Sequence, residues 1–286
     1  MNTVIISRPA NRTRRTHDLA GKLRHEKRYG FLVLYHLLRL SDLGREGIER
    51  SGSYRFADHV YANRASGRGL VGRMIDRILL GLPATRAMRQ RCFQSAVAMR
   101  QAFREHCATR EAGPFRVLTV PCGLPRDVCE FVDSIEMTNS KTPPPIEYTG
   151  MDLDHEVIAA ARDFLAHSAV PTARWIEGDA LSWEAWPGAE PFHFVASTGL
   201  GEFLDDTQLA QLYANIHRSL APEGVFFTSA TAFERRSDAM LRAFELHTHY
   251  RTQAGIESLL APLGWRDLHF THDQTGLQTF VQAKKA

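Results

Sequence analysis

Apolar residues recur at helical spacing through the first third of the chain. Leu32, Tyr35, Leu38 and Leu40 fall near one helix face, and Leu70, Met74, Ile75, Ile78 and Leu79 near another. Gly30, the pair Gly44 and Gly47, Gly52, the pair Gly67 and Gly69, and Gly81-Leu-Pro83 cut residues 18–106 into several helices. The last is a long one over 83–107. Residues 1–15 are polar and basic and read as a loose arm. At Glu111-Ala-Gly-Pro-Phe115 the pattern changes. Short apolar runs now alternate with helical periodicity: strand 116–120, helix 124–136, strand 146–152, helix 155–167, strands 173–177 and 192–197, helix 205–220, strand 224–230, helices 234–247 and 253–262. Such alternation predicts an α/β fold with a parallel sheet and helices on both faces. The end of the chain departs from it. Residues 265–271 and 277–283 read as strands joined by His272-Asp-Gln-Thr-Gly276, a link that permits only an antiparallel pair. Thr138-Asn-Ser-Lys-Thr-Pro-Pro-Pro145 reads as a stiff loop before the second strand. The expected division is a helical cap over 1–112 and an α/β core over 113–286.

Charge sharpens that division. The net charge of +3 hides 22 Lys and Arg against 9 Asp and Glu in residues 1–112, and 13 against 23 in the rest. Opposite signs suggest units with different tasks, or units that attract each other. Cys92, Cys107, Cys122 and Cys129 show no metal-ligand spacing and read as the reduced thiols of a cytoplasmic protein. The apolar run 31–40 is ten residues long and contains His36 and Arg39, so it cannot span a bilayer.

The most telling stretch is Phe115-Arg-Val-Leu-Thr-Val-Pro-Cys-Gly-Leu-Pro-Arg-Asp-Val128, a buried strand, a tight turn carrying Gly123 and the start of a helix. A second strand then ends in an acid, Tyr148-Thr-Gly-Met-Asp-Leu-Asp154. An open α/β sheet grips an adenosine ribose with this pairing, at the carboxyl ends of its first strands. Further on come Glu177-Gly-Asp-Ala-Leu181, Phe194-Val-Ala-Ser-Thr-Gly-Leu-Gly-Glu-Phe203 and His217-Arg-Ser-Leu-Ala-Pro-Glu-Gly-Val-Phe-Phe227. Together these residues resemble the class I S-adenosylmethionine-dependent methyltransferases over about 113–286. The resemblance implies a Rossmann-like seven-stranded sheet with an antiparallel last strand. It implies S-adenosyl-L-methionine as cofactor, held by Pro121, Cys122, Gly123, Asp152, Leu153, Asp179, Ala180 and Thr198. Asp152 would bind the ribose hydroxyls, Asp179 would lie beside the adenine amino group, and substrate would meet the methyl group at the fourth-strand motif.

The loop Pro-Cys-Gly-Leu-Pro departs from the family's pattern, with one glycine and no acid before it, which alters the expected grip on the cofactor there. A nicotinamide reading fits less well. Gly-x-Gly-x-x-Gly is absent, and Asp152 follows Gly123 by 29 positions, against roughly 20 in a dinucleotide fingerprint. Glu202, beside the expected acceptor, is the candidate catalytic base; the alternative is a solvated carboxylate at a helix start. Asp154 is better placed than Asp152 to cap the helix that follows. Tyr54, His59, Tyr61 and His272 are candidate substrate contacts, the first three in an aromatic and basic stretch that suits a lid. His247, His249 and Tyr250 form a polar cluster after the fifth strand and read as a partly exposed helix end rather than a functional group. The expected activity is methyl transfer to a small-molecule acceptor under a helical lid. Two alternatives stand beside it: an RNA- or lipid-modifying methyltransferase docking through the basic half, with nucleic acid the less favoured partner, and attack on the cofactor's aminobutyrate chain that yields methylthioadenosine.

Overall fold

The computed structural model describes residues 18–49, 53–109, 113–136, 144–170, 172–188, 190–243 and 248–286. The arm expected over 1–15, the glycine break at Gly52, most of the 138–145 loop and His247 lie outside the described residues.

The chain divides into two compact units, one holding the chain up to Arg86 with a segment that starts at Arg235, the other holding Ala87–Glu234 and the chain from Thr248. The first unit opens with α1 (Leu19–His25), α2 (Tyr29–Leu38), α3 (Asp42–Glu49), α4 (Tyr54–Ala62) and α5 (Gly69–Leu80). Leu19, Leu23, Leu38 and Ile48 form its core, with Phe31, Leu32, Leu34, Tyr35, Ile75 and Leu79 packed around them. One carboxylate ties it together. Asp76 is fully buried and accepts from the Ser41 hydroxyl and from the N–H groups of Leu43 (3.3 Å), Ser66 (2.8 Å) and Gly67 (2.6 Å). Burial alone would raise its pKa. The bonds from Ser41, Gly67, Ser66 and Leu43 outweigh burial and hold it below the ordinary value.

The second unit contains the sheet. Helix α6 (Pro83–Thr109) leads into it, followed by β1 (Phe115–Thr119), α7 (Arg126–Glu136), β2 (Ile146–Asp152), α8 (His155–Leu165), β3 (Thr172–Glu177), β4 (Phe192–Ser197), α9 (Asp206–Ser219), β5 (Leu220–Thr231), α10 (Arg235–Ala243, which belongs to the first unit), α11 (Gln253–Leu260), β6 (Trp265–His272) and β7 (Gln278–Lys285). The strand order is β3-β2-β1-β4-β5-β7-β6. β7 runs antiparallel to both neighbours and the remaining pairs are parallel, as the short terminal link requires.

Strand side chains alternate between two cores. Val117, Phe194, Ala196, Val225 and Phe227 face one; Leu118, Val195 and Phe226 face the other. Strands buried on both faces read as continuous apolar runs. Against the division expected at 113, α6 from Ala87 onward groups with the sheet. Ala96, Met99, Ala102 and Phe103 recur at i, i+3, i+6 and i+7 and pack with Phe115, Val128 and Phe131. β5 also starts earlier than 224. Leu220 already pairs with Phe192, and the register then shifts before Phe194 meets Val225.

Candidate functional site

Strand order reverses beside β1, which pairs with β2 on one side and β4 on the other. The loops leaving β1 and β4 diverge there, and open α/β sheets place ligands in that crevice.

The loop after β1 is pinned on both sides. The Val120 N–H donates to the Ala196 carbonyl (2.9 Å) and the Cys122 N–H to the Met151 carbonyl (2.8 Å). Gly123 follows with φ +48°, and a Cβ added there would meet nothing within 4 Å. Its requirement for glycine therefore comes from the left-handed backbone and not from crowding. Helix α7 begins at Arg126 rather than 124, because Leu124 and Pro125 complete the turn. Burial and the neighbouring Asp152 carboxylate push the Cys122 thiol far above its ordinary pKa, which makes it a packed small residue rather than a nucleophile.

Asp152 ends β2 and is 6% exposed. Its Oδ1 accepts from the Asp154 N–H (3.1 Å), while the Asp154 side chain caps α8 through the Glu156 N–H (2.9 Å). Capping therefore falls to Asp154. Leu153, between them, is 49% exposed. The loop after β3 is equally fixed. Asp179 Oδ1 accepts from the Leu181 N–H (2.9 Å). The Ala180 carbonyl accepts from Trp186 Nε1 (3.0 Å) and Asn215 Nδ2 (2.9 Å). Thr198 follows β4, partly buried. Pro121, Cys122, Gly123, Asp152, Leu153, Asp179, Ala180 and Thr198 thus stand at the carboxyl ends of four adjacent strands.

Three residues that sequence reasoning missed hold the next loop. Arg91, buried on α6, donates from Nη1 to Glu202 Oε1 (3.2 Å). Its guanidinium lies 3.1 Å from where a Cβ on Gly199 would sit, and Gly199 has φ +81°. Glu202 Oε1 also accepts from the Thr231 hydroxyl (2.5 Å), whose oxygen accepts from Gln278 Nε2 (2.7 Å). The Glu202 carbonyl accepts from the His249 N–H (2.9 Å). Arg251 clamps the same loop from the other side. It donates to the carbonyls of Gly201 (2.5 Å) and Leu204 (2.6 Å) and to Asp206 Oδ1 (3.0 Å). Beside α7, Ser95 donates to Asp127 Oδ2 (2.6 Å), and burial raises the Asp127 pKa against that bond. These partners lie dozens of positions apart in sequence, so local patterns carry no trace of them.

Tyr54, His59 and Tyr61 are on α4 in the helical unit. Tyr54 accepts from its neighbour Arg55 (3.1 Å), and Tyr61 is partly buried. His59 Nε2 contacts the Arg64 carbonyl (3.0 Å) and Ser66 Oγ (3.2 Å), and Nδ1 lies 3.6 Å from Glu46. Glu46 raises the His59 pKa, and burial opposes the shift. His272 is exposed at the end of β6, with Nδ1 3.2 Å from Thr279 Oγ1. β6 is three strands from β4, or about 14 Å by strand spacing. Tyr250 stacks edge-on against exposed Phe233. No group of metal-ligating side chains occurs among the described residues, and no described helix is long and apolar enough to cross a membrane.

A family model described as "Putative methyltransferase" matches residues 37–285. No curated protein matches the chain. Among solved structures, a possible exported protein from Bordetella parapertussis is 20% identical with TM-score 0.72, over 89% of this chain and 86% of that one. Human N-acetylserotonin methyltransferase in complex with SAM is 16% identical with TM-score 0.51, over 85% and 70%. Magnesium protoporphyrin IX methyltransferase from Synechocystis with bound SAH is 9% identical with TM-score 0.50, over 80% and 93%. At these identities the likeness is one of fold.

Proposed function

The chain belongs to the family described as "Putative methyltransferase", and from that premise we propose that it binds S-adenosylmethionine at the carboxyl edge of β1, β2 and β3 and methylates a small-molecule acceptor beside β4. The observation that carries this reading is Asp152, nearly buried at the tip of β2, next to a Gly123 turn fastened to that strand through Cys122 and Met151. The donor set fits the molecule. Asp152 offers a charged acceptor for ribose hydroxyls, with about 1.5–3 kcal/mol per bond. The start of α7 offers N–H groups to a carboxylate. Leu153 and Ala180 offer apolar contact, and Asp179 offers an acceptor to the adenine amino group.

When bound, the sulfonium supplies a methyl group already activated for displacement. The chain's own task is then to orient the acceptor and exclude water. The loop 199–204 is built for orientation, gripped by Arg91 and Thr231 through Glu202 and by Arg251 through two carbonyls. Glu202 Oε1 already accepts two hydrogen bonds, from the Arg91 guanidinium and the Thr231 hydroxyl, which occupy that oxygen. We therefore assign Glu202 to positioning, with any proton transfer confined to Oε2.

Product analysis tests the reaction class. Incubation with S-adenosylmethionine and a pool of small nucleophilic acceptors is expected to yield S-adenosylhomocysteine together with a methylated product. Methylthioadenosine in its place would overturn methyl transfer in favour of attack on the aminobutyrate chain.

A further inference from the structure

Helix α5 presents an apolar face to solvent. Leu70, Met74 and Ile78, one turn apart, are 81%, 54% and 58% exposed, and Val71 beside them is 53% exposed. The buried side of the helix carries Gly72, Asp76 and Leu80. On a helical projection the four exposed residues span an arc of about 100°. Arg73 and Arg77 border one edge and Arg68, the N-cap, lies beyond the other; all three are exposed. The one acid of this helix, Asp76, is buried and engaged by Ser41, Leu43, Ser66 and Gly67, so the exposed face carries positive charge alone. Helix α2 repeats the four-residue interval with exposed Tyr29, Val33 and Leu37.

We infer that the α5 face docks on an anionic lipid surface, with Leu70, Val71, Met74 and Ile78 entering the headgroup boundary and Arg68, Arg73 and Arg77 meeting the phosphates. Aliphatic side chains flanked on both edges by long cations are the arrangement of an interfacial helix. A second copy of this chain is a poorer occupant. Packing α5 on itself would press arginines together in a dehydrated contact. The inference is independent of the methyl-transfer reading, since it concerns binding without turnover.

Cosedimentation of the full chain with vesicles tests it, using phosphatidylcholine alone or with 30% phosphatidylglycerol. The protein is expected to pellet with the anionic vesicles and to be released by salt. Changing Arg68, Arg73 and Arg77 together to Gln is expected to weaken partitioning by roughly 100-fold, at about fivefold per cation. A triple change of Leu70, Met74 and Ile78 to Ser is expected to abolish it, with the circular dichroism of both variants unchanged. Partitioning that is absent, or that ignores both triple changes, overturns the proposal. So does a dimer in sedimentation velocity that the Ser variant converts to monomer, which would assign the face to a second copy.

Discussion

Single side chains decide much of this molecule's behaviour. Asp76 gathers four donors in a fully buried position. Asp76→Ala should therefore cost roughly 3–5 kcal/mol by urea unfolding, because donors are stranded and not merely unbonded. His59 answers to pH in a defined direction. Its folded pKa stands above 6.5 because of Glu46, so the stability it adds is complete below 6.5 and is lost as pH rises through the folded value. The urea midpoint of His59→Gln should lose that part of the decline, leaving a flatter profile above pH 6.5 than the parent protein shows. Cys122 and Cys107 offer a contrast in reactivity. Cys122 is buried and Cys107 exposed, and burial with the Asp152 charge holds the Cys122 thiol protonated. Peptide mapping after brief alkylation at pH 8 should find label on Cys107 well before Cys122. Rapid labelling of Cys122 would contradict its role as packing under the crevice.

At the scale of elements, the loop between β4 and α9 is the part whose geometry most needs support. Arg251 bridges its start and end, from the Gly201 carbonyl to the Leu204 carbonyl and Asp206. Lysine cannot reproduce a three-way guanidinium contact. Arg251→Lys is expected to leave cofactor affinity within about threefold while lowering turnover roughly 10–100-fold, the scale of a misplaced reacting group. Equal loss of both would assign Arg251 to general stability instead. Elements also show where sequence reading succeeds. The antiparallel finish was legible because five residues between two strands admit no crossover. Gly123 and Asp152 were legible because a turn and a strand tip are local events. Arg91 was not, since it meets Glu202 across 111 positions. Sequence alone places all of α6 in the cap, because a helical period reports which face is apolar and not which partner covers it. The break at 111–115 marks a change of element type, whereas packing draws the line at Ala87.

At the scale of the whole molecule, one sheet reverses its strand order beside β1, and the helical unit carries most of the excess positive charge read from residues 1–112, with 17 Lys and Arg against 7 Asp and Glu up to Arg86. Candidate contacts on α4 are engaged within that unit, His59 by Glu46, Arg64 and Ser66. Within the sheet, the proposed cofactor grip rests above all on Asp152. Isothermal titration of S-adenosylhomocysteine into the parent protein and into Asp152→Ala tests it most directly. Loss of charged acceptance from a ribose predicts binding at least about 100-fold weaker in the variant, with the unfolding midpoint retained. Equal affinity in the two proteins, or no binding to the parent, would contradict the central claim.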